Sequence, residues 1–531
     1  MLAVMDAIAT LPASSTSRPI AHRRGNPWWT LACVALGVVM VGVDGSVVAI
    51  ANPYIARSLH ASLADLQWVT NAYLLALAVL LVAGGKLGDR YGRRLVYLVG
   101  VAGFAACSVG VGLVGSISGV IVLRTFQGAF GALLMPNTLA LLRTAFPQEK
   151  LNQAVGIWGG TSALAVAAGP IVGGLLVEHV SWQSVFFINA PIAAITLVIG
   201  VIVLAESRET VRQALDGLGL ALLAASLFCL VFGVVEGQTW GWSAPSIDGL
   251  LAGGALLLVA FGVVESRVRS PLIPLRVIAQ RSVALGTVTV LLTFFAMYGV
   301  LFFISLYLQN VHGLDPVGAG VRTLPLTLVF AVSSPLGAWL TGRFGPRVPT
   351  SLGLGLTGVA LLALLGLQPA SSYLHLWPSF VLLGIGIGLV LVASTDAIVA
   401  NAPQDEAGIA GGIQTTALQF GGVLGTAVLG SVIATEVGAH LVGDLTRAGL
   451  PRTLAVKFQV AKELVAQGVA PLPKGAPGVL AKAVTTGSHQ AFIGGLHAAL
   501  LVAAIVSFLG AIAGLFISRG QHSGGGFPVV G

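Results

Sequence analysis

From Trp29 to Ile517 the chain repeats one pattern, an apolar run of about 20 residues followed by a short polar connector. In lipid every backbone N–H and C=O must be bonded within the protein, and a run of this length achieves that as a helix. Fourteen runs read as spans, over residues 29–52, 67–86, 95–115, 119–142, 153–177, 184–204, 216–235, 247–265, 283–308, 317–341, 350–368, 377–400, 408–437 and 490–517. With 56% hydrophobic residues and a mean hydropathy of +0.94, a chain of 531 residues holds more apolar surface than a soluble fold can hide. The 70 glycines suit closely packed membrane helices.

Charge gives the orientation. Lys and Arg gather in the N-terminal tail and in every second connector, while the other connectors are nearly free of them up to the long segment 440–489. Positive residues mark the cytoplasmic side, so both termini are expected inside and the long segment outside. The net charge of +8 is therefore spread over short loops, which argues against a nucleic-acid surface. Arg23-Arg24 ahead of an apolar run, with Ala49-Ile50-Ala51 after it, imitates a secretory signal. The run is long for a signal core and holds Asp44, so it reads as a retained first span. Cys33, Cys107 and Cys229 lie in apolar runs and read as packing residues.

The densest polar stretch is Gly85-Lys86-Leu87-Gly88-Asp89-Arg90-Tyr91-Gly92-Arg93-Arg94, five charges in ten residues where 9% of the whole chain is charged. Its glycines allow two helix ends to approach closely, and Asp89 can cap a helix or pair with a cation. A weak echo, Leu340-Thr341-Gly342-Arg343-Phe344-Gly345, follows the tenth span without the aspartate. Two six-span halves with two spans between them would produce that echo.

An ionisable group inside a span is costly, and so is a functional candidate. Asp44, in the second half of the first span, is expected to gain and lose a proton; the alternative is an idle carboxylate in an outer vestibule. Arg124, early in the fourth span, stays charged and needs an acceptor within the bundle, whether to tune an acid or to lock two helices. Gly169-Pro170-Ile171-Val172-Gly173-Gly174 offers a kink and close packing. Asp396 near the inner end of the twelfth span is either a coupling group or a surface acid. Gln414 and Gln419 either line a cavity or bridge helices. Phe295, Tyr298 and Phe302 form a helical stripe that either stacks on a flat substrate or packs. No phosphate-binding loop, nucleophile elbow or metal-spaced His/Cys set is present, so neither an enzyme nor a bound metal or cofactor is expected.

Several of these motifs, in order, resemble the major facilitator superfamily and, within it, the fourteen-span drug:proton antiporters. The Gly85–Arg94 loop resembles the hallmark between spans 2 and 3, and Arg124–Gly131 with Pro136 resembles the span-4 motif. Gly169-Pro170 with Gly173-Gly174 resembles the span-5 antiporter motif. Val43–Val48 followed by Pro53, Trp68–Tyr73, and Ala407–Gly425 resemble spans 1, 2 and 13. Ala49, Asn52 and Leu418 depart from the usual residues.

The resemblance implies an all-α membrane protein with two six-helix bundles and two extra central helices. The expected division is a tail 1–28, a first bundle 29–204, two added spans with linkers 205–280, a second bundle 281–517 containing the outer loop 440–489, and a tail 518–531. It implies a monomeric, proton-coupled exporter of lipophilic or amphipathic small molecules in the bacterial inner membrane. The alternatives are a dedicated exporter of one metabolite or lipid, or a non-transporting receptor. Asp44 and Arg124 would couple protons. Gly85, Asp89, Arg90, Gly92, Arg93 and Arg94 would form an inner gate, and Asp89 and Arg90 would belong to it as a gate that pairs in one state only.

Overall fold

The computed structural model describes residues 25–208, 216–268, 271–399, 401, 407–472 and 477–518. Arg18, Arg23, Arg24, Arg212, Arg269 and the tail from Arg519 lie outside the described residues. Among the described residues there are fourteen helices long and apolar enough to cross a membrane, and no strand. In chain order they are α1 (Pro27–Leu59), α2 (Leu63–Tyr91), α3 (Arg93–Leu113), α4 (Ile117–Ala145), α5 (Gln148–His179), α6 (Ser184–Val203) and α7 (Gly217–Trp240). The second set is α8 (Pro245–Glu265), α9 (Arg281–Val311), α10 (Pro316–Phe344), α11 (Arg347–Gly366), α12 (Tyr373–Val399), α13 (Ala407–Arg447) and α14 (Gly478–Gly514).

Each expected span has its helix, and most helices outrun the apolar segment that marked them. The first span was expected to stop at 52, ahead of Pro53, but α1 continues to Leu59 and Asp44 therefore sits at mid-helix. Pro53 withholds the N–H that would bond the Ala49 carbonyl. Ser305 of α9 supplies a donor instead, its Oγ lying 2.7 Å from the Ala49 oxygen, and Gln309 Nε2 reaches the Ile50 oxygen at 3.1 Å.

The segment 440–489, expected as a loop, is largely helix. Val437, Leu441 and Leu445 recur at every fourth position and are fully buried, so α13 continues as an amphipathic helix past its apolar run and packs on α14 near Gly487. The connection proper is 448–477. Within it short helical turns follow one another at Arg452–Ala455, Val456–Ala461 and Lys462–Val465.

The packing repeats between the two sets of six. In the first set α2 lies along α4, α1 along α5 and α3 along α4; in the second set α10 lies along α12, α9 along α13 and α11 along α12. The sets meet where α5 packs on α10 and α2 on α13. The inserted helices pack mainly on each other, and α7 alone of the two rests on the α2–α13 seam. The end of the bundle carrying the Gly92 turn is called the turn end below, and the opposite one the far end.

Candidate functional site: a buried carboxylate network

Asp44 and Arg124, 80 residues apart in sequence, meet in the middle of the first six-helix set with Nη1 2.5 Å from Oδ2. Neither is exposed beyond 1%. A buried ion pair repays its desolvation only when its remaining polar atoms are also bonded, and most of them are. Gln127 Nε2 donates to Asp44 Oδ1 at 2.8 Å while its Oε1 accepts from Arg124 Nη1 at 2.9 Å. Asn189 Nδ2 donates to the same Oδ1 at 3.1 Å. Arg124 Nε donates to the Val69 carbonyl at 3.0 Å, and its guanidinium lies over the Tyr73 ring at 4.1 Å from the centroid.

The local sequence explains the placement. Gln127 lies three residues after Arg124, so both face the same side of α4. Asn189 sits where α6 is jointed at Ile188. Pro191 there lacks the N–H that would have bonded the Phe187 carbonyl. Ser108 of α3 steadies the joint, accepting from Asn189 Nδ2 at 2.9 Å and donating to the Phe186 carbonyl at 2.8 Å. Asp44 has no exposure, so in this structure its carboxylate does not face an open vestibule. Asn189 and Ser108 were not singled out in the sequence, and Gln127 entered only within the Arg124–Gly131 motif, because nothing in the sequence placed them beside Asp44. An amide ahead of a proline within an apolar run was the available signal.

The turn between α2 and α3 consists of Gly92 alone, at φ +115°, where a side chain would also strike the Glu206 carboxylate. Asp89 pairs across this turn with Arg93 at 2.7 Å, one helical turn on. Arg90, the next residue, diverges from Asp89 by about 100° around the helix. Arg90 is exposed and lies over the Tyr91 ring. The Arg94 backbone N–H donates to Glu206 and its guanidinium to the Val201 carbonyl at 2.8 Å, tying the turn to the end of α6. Gly85 lies against Pro136 of α4. Lys86 Nζ donates to the Pro271 carbonyl at 2.8 Å, in the segment joining α8 to α9.

The Gly169–Gly174 run faces two helices at once. Gly169 and Gly173 abut Ser46 and Val47 of α1, while Pro170 and Gly174 abut Gly320 and Pro316 of α10. Glu178 caps α10 by accepting from the Val317 N–H at 3.1 Å. The seam α2–α13 is bonded by Gln67 Nε2 to the Thr426 carbonyl at 2.6 Å and by Thr426 Oγ1 to Asn71 at 2.5 Å. These contacts and the α1–α9 bonds of Ser305 and Gln309 close the far half of the bundle.

The second-half candidates separate. Phe295 and Phe302 are buried, and Phe302 packs edge-on to Phe303 at 4.8 Å between centroids. Tyr298 is half-buried and reaches from α9 to Gly45, beside Asp44. Gln414 of α13 donates to the Thr395 hydroxyl of α12, next in sequence to the half-buried Asp396, toward the turn end and away from the Asp44 network. Gln419 is buried with its Oε1 unbonded. Asn52 is fully buried with neither amide atom bonded.

Fourteen apolar helices in two matching sets of six, with a buried acid–arginine pair at mid-depth in the first, define a multi-pass membrane protein with the architecture of a transporter. The chain belongs to the Major Facilitator Superfamily, whose pattern it matches over residues 34–426. It is 44% identical over 513 residues to the tetracenomycin C resistance and export protein of Streptomyces glaucescens, covering 96% of this chain and 95% of that one. It is 36% identical to the multidrug resistance protein Stp of Mycobacterium tuberculosis, covering 79% of this chain and 78% of the relative. A puromycin resistance protein of Streptomyces alboniger is 37% identical over 78% of this chain and 83% of its own. In fold it resembles an inward-facing, unoccupied bacterial homologue of the human lysosomal transporter Spinster, with a TM-score of 0.59 at 19% identity, covering 94% of this chain and 98% of that one.

Proposed function

We propose that the protein is a proton-coupled exporter of lipophilic or amphipathic small molecules, drugs and antibiotics among them. The observation that carries the reading is the Asp44–Arg124 pair, an acid with no exposure held against a permanent cation at the middle of a helix bundle. Such an acid exchanges a proton only when the surrounding helices rearrange, and that links its charge to the direction in which the cavity opens. The names of the resistance and export relatives support substrate export.

In this reading the turn end is cytoplasmic, as are both termini, and the far-half contacts form the outer seal of a monomer in the bacterial inner membrane. The chain divides functionally into bundles 29–204 and 281–517, with 205–280 as the insertion. Rocking of the bundles about α1, α5, α9 and α10 moves the seal, and the Gly169–Gly174 face serves as its bearing. Tyr298 and the buried amides Gln419 and Asn52 line the route when the halves part, and Asp396 and Gln414 meet the substrate on entry. The Gly85–Arg94 turn acts as the inner gate through the Asp89–Arg93 pair. A dedicated exporter of one compound is the second reading, favoured by the near full-length likeness to a protein named for tetracenomycin C.

The test is export of a fluorescent cationic dye and a panel of antibiotics from a pump-deficient bacterial host, with and without an uncoupler. Uncoupler-sensitive export of several unrelated compounds that disappears in Asp44→Asn is expected. Proton-driven export that survives Asp44→Asn overturns the coupling role. Export of a single compound from the panel selects the second reading.

A further inference from the structure

Asp44, as an anion, can only accept hydrogen bonds, and each of its facing groups is a donor. Arg124 takes Oδ2, while Gln127 and Asn189 both donate to Oδ1. A proton arriving on Oδ1 turns that oxygen into a donor and requires an acceptor beside it. Arginine has no acceptor atom. The oxygen of Gln127 already takes Arg124 Nη1, so turning that amide would break its bond to the guanidinium. The third partner differs. Asn189 Oδ1 is buried and has no hydrogen-bond partner, while its Nδ2 serves both Asp44 and Ser108.

We propose that Asn189 is a positioning residue that follows the protonation of Asp44, its amide donating to the carboxylate and turning over to accept from the carboxylic acid. The proposal rests on the reading of Asp44 as the proton-carrying group. The half-turn exchanges Oδ1 and Nδ2 about a terminal torsion that is broad and nearly two-fold in asparagine, so it needs no backbone shift. Ser108 accommodates either orientation: it accepts from Nδ2 while its one hydrogen stays on the Phe186 carbonyl, and it can redirect that hydrogen to Oδ1 when the amide turns. Asparagine is suited to the position because it offers both a donor and an acceptor without a charge of its own. A leucine offers neither, and an aspartate would add a second negative charge.

Among the described residues the hydrogen bonds to Asp44 come from Arg124, Gln127 and Asn189, and the buried Tyr73 hydroxyl, itself without a partner, is not bonded to it. The titratable and charged groups facing it are Arg124 on α4 and Tyr73 on α2, with Tyr298 of α9 beside Gly45. On α5 the neighbouring surface of α1 meets Ala165 and Gly169, which do not titrate. Tyr97 of α3 is engaged with the Cys33 carbonyl, three helical turns away. Glu178 and Asp315 lie near Tyr54, at the far end of α1.

The experiment is infrared titration of purified, lipid-embedded protein, which needs no substrate. The carboxylic-acid band assigned to Asp44 is the one lost in Asp44→Asn. In Asn189→Leu that band should reach half height about one pH unit higher, a tenfold change in proton affinity, because a donor to the anion is worth more than an acceptor to the neutral acid. The band frequency should also shift, since the acid has lost its acceptor. A half-height pH and frequency unchanged from the parent protein overturn the proposal. Should Asn189→Leu fail to accumulate, Asn189→Ala removes the same amide with less bulk and is read in the same way. If Asp44→Asn removes no titrating band, the reading of Asp44 fails rather than the role of Asn189.

Discussion

The Ser305 hydroxyl donates to the Ala49 carbonyl, the one acceptor in α1 that Pro53 deprives of its helical donor. A proline that would weaken a lone helix thus creates a docking point between the two six-helix sets. Ser305→Ala leaves that part-buried carbonyl unbonded, at a cost of about 1–3 kcal/mol. Restoring the N–H with Pro53→Ala in the same chain should recover much of the loss. Thermal unfolding of the two single variants and the double variant in detergent checks this, with a smaller effect of Ser305→Ala expected in the Pro53→Ala background.

Arg124→Gln strands the Asp44 carboxylate without a countercharge, and about 3–5 kcal/mol of stability should be lost. Asp44→Asn combined with Arg124→Gln removes both charges and should return most of that stability while leaving export abolished. Folded yield and dye export, measured on the same preparations, separate the two effects.

Lys86→Met breaks the bond to the Pro271 carbonyl. Glu265 still holds the next residues, accepting from the N–H groups of Leu272 and Ile273 at 3.1 Å each. The bundle should therefore remain folded at a cost of about 1.5–3 kcal/mol, with the segment 271–280 loosened from α2. Limited proteolysis should cut that segment severalfold faster in Lys86→Met, and faster again when Glu265→Gln is added.

His312, just beyond α9, bonds the Tyr307 hydroxyl at 2.8 Å. Burial lowers its pKa below the ordinary 6.5, and Arg322 lowers it further. The folded protein thus binds this proton less readily than the unfolded chain does. Its contribution is whole above pH 6.5 and is lost as pH falls through the lower folded value. His312→Gln should flatten the acid side of a melting-temperature profile and leave the alkaline side unchanged.

The sequence disclosed those features that depend on one property at a time. Apolar runs marked all fourteen helices, and charge inside such runs marked Asp44 and Arg124. Asn189 and Ser108 were silent because an uncharged polar residue in a span is common, and their importance comes from meeting Asp44 across three helices. The ends of α13 and α14 were silent because a helix leaving the bilayer exchanges an all-round apolar surface for an amphipathic one, as Val437, Leu441 and Leu445 show. The sequence leaves the partner of Asp89 open, with Arg90, Arg93 and Arg94 all within five residues of it. Arg93 is one turn away, whereas Arg90 points elsewhere.

Gly92 leaves α2 and α3 no slack. A single linking residue, a salt bridge across it and a strap to the end of α6 make the pair one stiff lever. Displacement of either helix must therefore carry the other, and the end of α6 with them.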